Sequence, residues 1–292
     1  MIASHIFISA IISGVLLGSF YAAIASGLGL VFGVLEMPNL AHPAVVVAAA
    51  MLVHSLNGFG LDPIVAGLLL APFFFVAGVL FYRFYRFSFE TRGNVDPLRS
   101  FSLFFGMAFL IEFALIFVYG VDFQSVDAPY IGRSLALGWV RIPYRMLACF
   151  VVGTLLLGAL HLFLTRTMMG RAIRAAGFDQ EALRMQGINP VRIRQLAFGL
   201  SLATAAIAGS LLIVVGPVTP SVDRIYIGRA FAVVVLAGMG SISGTYISGL
   251  ILGISETIVL SMLGASWATA VSYALVLLVL AVRPSGLFGA QR

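Results

Sequence analysis

The chain has 292 residues, of which 61% are hydrophobic and 10% charged, with a mean hydropathy of +1.09. A soluble globule carries about 25% charged residues, so this composition excludes one and points to an all-α polytopic membrane protein. The net charge is +6, and all 17 basic residues are arginine. Without lysine the chain has no Walker-type phosphate loop and no Schiff-base amine. In so apolar a chain arginine marks cytoplasmic loops rather than a nucleic-acid surface. The single cysteine, Cys149, rules out an internal disulfide and a zinc cluster.

The first apolar run, residues 6–34, is preceded by no basic residue, which argues for a retained anchor rather than a cleaved leader. It breaks at Glu36-Met37-Pro38-Asn39 and resumes over 41–56, because proline lacks a backbone donor and restrains the residue before it. That pattern predicts a discontinuous span. Further apolar runs cover 63–82, 101–119, 146–164, 196–215, 230–263 with interruptions, and 268–282. Counting the broken segments gives roughly eight to ten crossings, all within one transmembrane domain spanning residues 1–292. The stretch 230–263 reads either as one crossing or as a re-entrant half-helix followed by a full span.

Segments 83–99 and 166–194 hold ten of the 17 arginines and are expected to be cytoplasmic. The loop 120–145 then lies outside, three crossings back from the cytoplasmic segment 83–99 put the N-terminus outside as well, and Arg283 and Arg292 favour a cytoplasmic tail. Two interruptions echo each other, at Gly33 with Pro38-Asn39 and at Gly238-Met239-Gly240-Ser241. Paired breaks in two halves of a transporter border a solute path, or else the glycines serve close helix packing, as Gly14/Gly18 and Gly249/Gly253 do.

Segment 166–194 is too polar to span. Within it Ala175, Phe178, Ala182 and Met185 recur at helical spacing, opposite Arg174, Glu181 and Arg184, which predicts a short amphipathic helix. Gly187 suits its C-terminal cap, and Asn189-Pro190 the start of the next helix. Such an elbow either docks into a soluble partner or lies on anionic lipid.

The residues of the elbow resemble a known pattern. Glu181-Ala182-Leu183, followed by Gly187, is similar to the loop by which ABC importer permeases seat on their ATPase. Gly27-Leu28-Gly29-Leu30-Val31-Phe32-Gly33-Val34 with Asn39-Leu40-Ala41-His42 resembles the signature of branched-chain amino acid importer permeases. Arg171-Ala172, Gly187-Ile188-Asn189, residues 236–244 and Arg283-Pro284-Ser285-Gly286-Leu287-Phe288-Gly289 match in the same order, so the resemblance covers nearly the whole chain. Pro43, Ala237 and Ser243 depart from the pattern near the suspected path, which leaves the solute less constrained than the family.

The resemblance implies an inner-membrane permease subunit with no cofactor of its own. ATP and magnesium would sit on two partner ATPases, beside a second, related permease and a periplasmic binding protein. It assigns coupling to Glu181, Ala182 and Gly187, and the amphipathic pattern of the same elbow adds Arg174, Phe178, Asp179 and Met185 as coupling candidates. The paired breaks, whose half-helix ends let backbone donors point at a carboxylate, make Gly33, Glu36, Asn39, His42, Gly238, Gly240, Ser241 and Gly244 the path candidates. The solute would be a branched-chain or hydrophobic amino acid, or a related urea, amide or carboxylate.

Glu36, Glu112 and Glu256 are carboxylates at membrane depth, where an unpaired charge costs a few kcal/mol; each meets either a substrate ammonium or a neighbouring helix. His42 reads as a path contact or as a satisfied packing residue. His5, His54 and His161 stand singly, without a ligand-spaced partner. Two rival classes remain, a stand-alone proton-coupled carrier using these carboxylates and an intramembrane enzyme, although no nucleophile–base pair stands out.

Overall fold

The computed structural model describes residues 2–35, 39–90, 97–137, 140–238, 240–283 and 285–289. Within them lie helices α1 (Ile2–Leu35), α2 (His42–Asn57), α3 (Pro63–Tyr85), α4 (Pro97–Tyr119), α5 (Tyr144–Arg166), α6 (Met168–Ala176) and α7 (Gln180–Met185). They continue with α8 (Pro190–Val215), α9 (Asp223–Ala237), α10 (Ile242–Leu263) and α11 (Ala265–Val282). A π-helical turn, Arg86–Glu90, extends α3. A small antiparallel hairpin, β1 (Ser134–Leu137) with β2 (Val140–Pro143), lies in the loop before α5, where the sequence shows no strand signal.

Among the described residues seven helices are long and apolar enough to span a bilayer: α1, α3, α4, α5, α8, α10 and α11. The shorter α2 and α9 have 16 and 15 residues. Local chemistry sets several boundaries. Asp62 caps α3, its carboxylate accepting from the Ile64 N–H at 2.9 Å, with Pro63 in the first turn. The start of α9 differs from the sequence expectation. The apolar run begins at Ala230, yet the helix begins at Asp223 and carries Arg229 into the bundle, with Arg224 at its exposed edge, each arginine paired with a carboxylate.

The bundle has two recognisable ends. At one, α3 carries Arg83 in its last turn, α6 packs against α1 and α7 against α8; this is the arginine-rich end. At the other, the His54 imidazole donates through Nδ1 to the Ser125 carbonyl at 2.7 Å. There the Asp127 N–H also donates to Asn57 Oδ1 at 2.9 Å, and Gln124 bridges Val218. The core pairs α1 with an antiparallel α10, since Gly14 faces Thr257 and Gly29 faces Thr245. Gly14, Gly18, Gly249 and Gly253 interlock backbone against backbone, as their four-residue spacing implies. A Cβ at Gly253 would meet the backbone of Gly14 and Gly18, so Gly253→Leu is expected to lower the melting temperature in detergent by several degrees; an unchanged melting curve would contradict this packing.

The first interruption gives α2 an unusual start. His42, its first residue, donates through Nε2 to the Ile24 carbonyl at 3.1 Å. Ile24 lies eleven residues before the end of α1, so α2 begins about 16 Å inside the bundle at 1.5 Å per residue. The first turn of α2 therefore packs beside the middle of α1 rather than beyond its end. The second interruption lies between α9 and α10 at the arginine-rich end, where Gly238 has φ +84° and Gly240 φ +78°.

Candidate functional site

The elbow between α5 and α8 is two helices rather than one. Asp179 ends the continuity: its carboxylate accepts from the Glu181 and Ala182 N–H groups at 2.9 and 3.0 Å and so caps α7 as a new helix. This splits the expected apolar stripe. Ala172, Ile173, Ala176 and Leu183 are the buried contacts, whereas Phe178 and Met185 are 74% and 84% exposed. Gly187 closes α7 at φ +76°, with the Ile188 N–H donating to the Leu183 carbonyl at 3.0 Å. Asn189 caps α8 through the Val191 N–H at 3.0 Å, followed by Pro190, as the sequence requires.

The coupling residues read from the sequence thus form one outward surface. Arg174, Phe178, Asp179, Glu181, Met185 and Gly187 are exposed or nearly so, and Ala182 is half-buried. Behind them the elbow sits directly on the membrane helices. Gly177 lies so close to the Gly33 carbonyl that a Cβ would overlap it, and Gly170 lies equally close to the backbone of Phe163 and Leu164.

Three residues expected on the path meet the elbow here. A cavity of about 360 Å³ is lined by Gly33 from α1, Arg174 and Phe178 from the elbow, and Gly240 and Ser241 at the head of α10. Gly240 approaches the Gly33 Cα, so the paired breaks share one end of the molecule. Ser241 caps α10, its hydroxyl accepting from the Gly244 N–H at 3.1 Å, which buries Gly244 in the first turn. Ser285, Phe288 and Gly289 close the cavity from the C-terminal segment. That segment covers the end of α9: the Leu287 and Phe288 N–H groups donate to the Leu236 and Ala237 carbonyls at 2.8 and 3.1 Å. Gly286 and Gly289 press on Gly238, a contact that only glycines permit. Sequence order alone gave no sign that this terminal motif seals the second break.

Asn39 and His42 lie elsewhere. Asn39 is 1% exposed, accepts the Ala41 N–H at 3.1 Å and borders an apolar cavity of about 290 Å³ with Phe73, Phe74, Phe104 and Phe198. His42 is fully buried against Gly27, Ser201 and Thr204. Glu36, Met37, Pro38, Met239, Pro284 and Arg292 lie outside the described residues.

Both described carboxylates meet arginines. Glu112 of α4 accepts a forked pair of bonds from Arg224 at 2.8 and 3.0 Å. Glu256 of α10 is bound by Arg229, whose guanidinium lies 5.4 Å from the Tyr21 ring centre and 5.7 Å from that of Tyr226. These are interhelical bonds, the plainer of the two sequence readings. The arginine partners were missed because Arg224 and Arg229 precede the apolar run.

Comparison with known proteins places this architecture. Residues 10–280 match the family described as branched-chain amino acid transport system / permease component. The chain is 33% identical to the high-affinity branched-chain amino acid transport system permease protein LivH of Escherichia coli K12, over 97% of this chain and 96% of that one. It is 30% identical to BraD of Pseudomonas aeruginosa, which carries the same description, over the same shares. Among solved structures, PsaBC from Streptococcus pneumoniae in complex with Fab shares the fold, with a TM-score of 0.50, 12% identity and 95% coverage of each chain.

Proposed function

The chain belongs to the branched-chain amino acid transport permease family, and from that premise we propose that it forms part of the membrane path of an ATP-driven importer for branched-chain or similar small hydrophobic amino acids. The observation that carries the reading is the elbow: an exposed Phe178 and Met185 among charged residues, backed without slack by α1. A soluble motor subunit docked on this surface pushes on Gly33 through Gly177, next to the break at Gly240. ATP and magnesium belong to two such subunits, since a chain without lysine lacks the residue that holds the terminal phosphates. A sister permease supplies the other half of the path, and a periplasmic binding protein delivers the solute at the hairpin end. The arginine-rich end faces the cytoplasm, and the assembly sits in the bacterial inner membrane among lipids.

The rival proton-coupled carrier needs carboxylates free to exchange protons, and Glu112 and Glu256 are both engaged by arginine. The deciding experiment reconstitutes the chain in liposomes with its sister permease, two ATPases and binding protein. Leucine uptake is expected to require ATP and every component. Accumulation by this chain alone under a pH gradient would overturn the importer reading.

A further inference from the structure

Helices α3 and α4 run antiparallel and meet at the arginine-rich end. There the Tyr85 and Ser100 hydroxyls share a hydrogen bond at 2.6 Å, and the Phe104 ring of α4 stacks on Tyr85 with centroids 5.8 Å apart. Deeper in, the apolar cavity of about 290 Å³ opens between them, with Ala77 on one wall, Met107 and Ile111 on the other, and α2 and α8 behind. Apart from Asn39, whose side-chain oxygen is engaged by the Ala41 N–H, every residue lining it is apolar. A zwitterion entering this space would shed water without gaining a polar partner. A hydrocarbon chain stays among apolar groups there, and it supplies the dispersion contacts that an empty cavity lacks.

The cavity connects along one side of α3 to a charged pocket. Phe73, Ala77, Leu80 and Phe84 follow at spacings of four, three and four residues, so they share a face of the helix, and Phe73, Leu80 and Phe84 are exposed on it. At the end of that face Leu80 and Phe84 line a second pocket, of about 430 Å³, together with Phe87, Arg83 and Arg86. Neither arginine is paired with a carboxylate among the described residues, and Arg99 lies exposed in the first turn of α4 at the same end. Phe73 stands ten residues before Arg83, about 15 Å along the helix axis. The hydrocarbon of one leaflet is about 15 Å deep. Guanidinium groups above an apolar cleft of one leaflet's depth match the two parts of an anionic phospholipid.

We propose that the α3–α4 cleft holds one anionic phospholipid of the leaflet at the arginine-rich end, its phosphate on Arg83 and Arg86 and one acyl chain in the cavity against Ala77 and Met107. Among the helices α4 packs mainly on α2, so the acyl chain is the filler that joins α4 to α3. The lipid is a structural ligand, and its site is separate from the elbow and from the glycine breaks.

The test places the protein, with its copurifying subunits, in phosphatidylcholine vesicles that hold a small share of a photoactivatable lipid. The probe is phosphatidylglycerol or phosphatidylcholine with a diazirine midway along one acyl chain, and the label is mapped by peptide mass spectrometry. The phosphatidylglycerol probe is expected to mark segments 73–81 and 104–111 about fivefold or more above the phosphatidylcholine probe, because two cations beside an anionic headgroup favour it by at least that factor. Arg83→Gln/Arg86→Gln should remove the preference. Unlabelled phosphatidylglycerol should compete, and inorganic phosphate and leucine should not. The proposal is overturned if both headgroups label the native protein equally, if the double variant keeps the preference, or if leucine or inorganic phosphate displaces the probe. Absence of label from the cleft overturns it too, and assigns that face to a neighbouring subunit.

Discussion

Replacing Glu256 with Gln is expected to cost this protein more stability than any other single polar change, with Arg229→Gln next. Both side chains are largely buried between α9 and α10, and removing one member of a buried pair leaves its partner uncompensated, typically at about 3–5 kcal/mol. The two losses differ because the survivors differ: a stranded carboxyl can take up a proton and become neutral, whereas a stranded guanidinium cannot shed one. The double variant Arg229→Gln/Glu256→Gln removes both charges and should recover most of the loss. The Arg224–Glu112 pair is a built-in control, since the Arg224 side chain is 66% exposed, and its disruption should matter less. Melting temperature and monodisperse yield in detergent measure all five proteins. If the double variant were as unstable as Glu256→Gln, the pair would not be the source of the loss.

Those arginines also show where sequence reading stops. Most of the apolar spans, the caps at Gly187 and Asn189 and the close-packing role of Gly14/Gly18 and Gly249/Gly253 are local or periodic features, and they were legible because spacing along one chain fixes them; that the two glycine pairs face each other was not. Features set by distant partners were not. Arg224 and Arg229 look like loop residues until Glu112 and Glu256 neutralise them across the bundle. The terminal Ser285–Gly289 stretch looks like a polar tail until it is seen bonding to the carbonyls of Leu236 and Ala237. Of the residues expected on the path, Gly33, Gly240 and Ser241 converge on the elbow, while Asn39 and His42 lie deep among α2, α3 and α8. Residues close in sequence were thus distributed over two depths, because His42 opens α2 beside Ile24 rather than beyond the end of α1.

The elbow yields the second large effect, because its two faces separate docking from transmission. Phe178 and Met185 point outward and touch little of this chain, so Phe178→Ala/Met185→Ala should leave folding and insertion unchanged. Truncating an exposed anchor that becomes buried in a complex commonly costs about 2 kcal/mol or more, so the ATPase should bind roughly 30-fold less tightly. Gly177 faces the other way, where any side chain collides with the Gly33 carbonyl. Gly177→Val leaves the outward surface in place but lifts α6 off α1, so the ATPase should still copurify while ATP-driven uptake falls to background. One variant loses the partner and the other keeps it without transport. A Phe178→Ala/Met185→Ala importer that retained its ATPase and transported normally would show that this surface is not where the motor acts. A Gly177→Val importer that transported normally would show that force does not pass through α1.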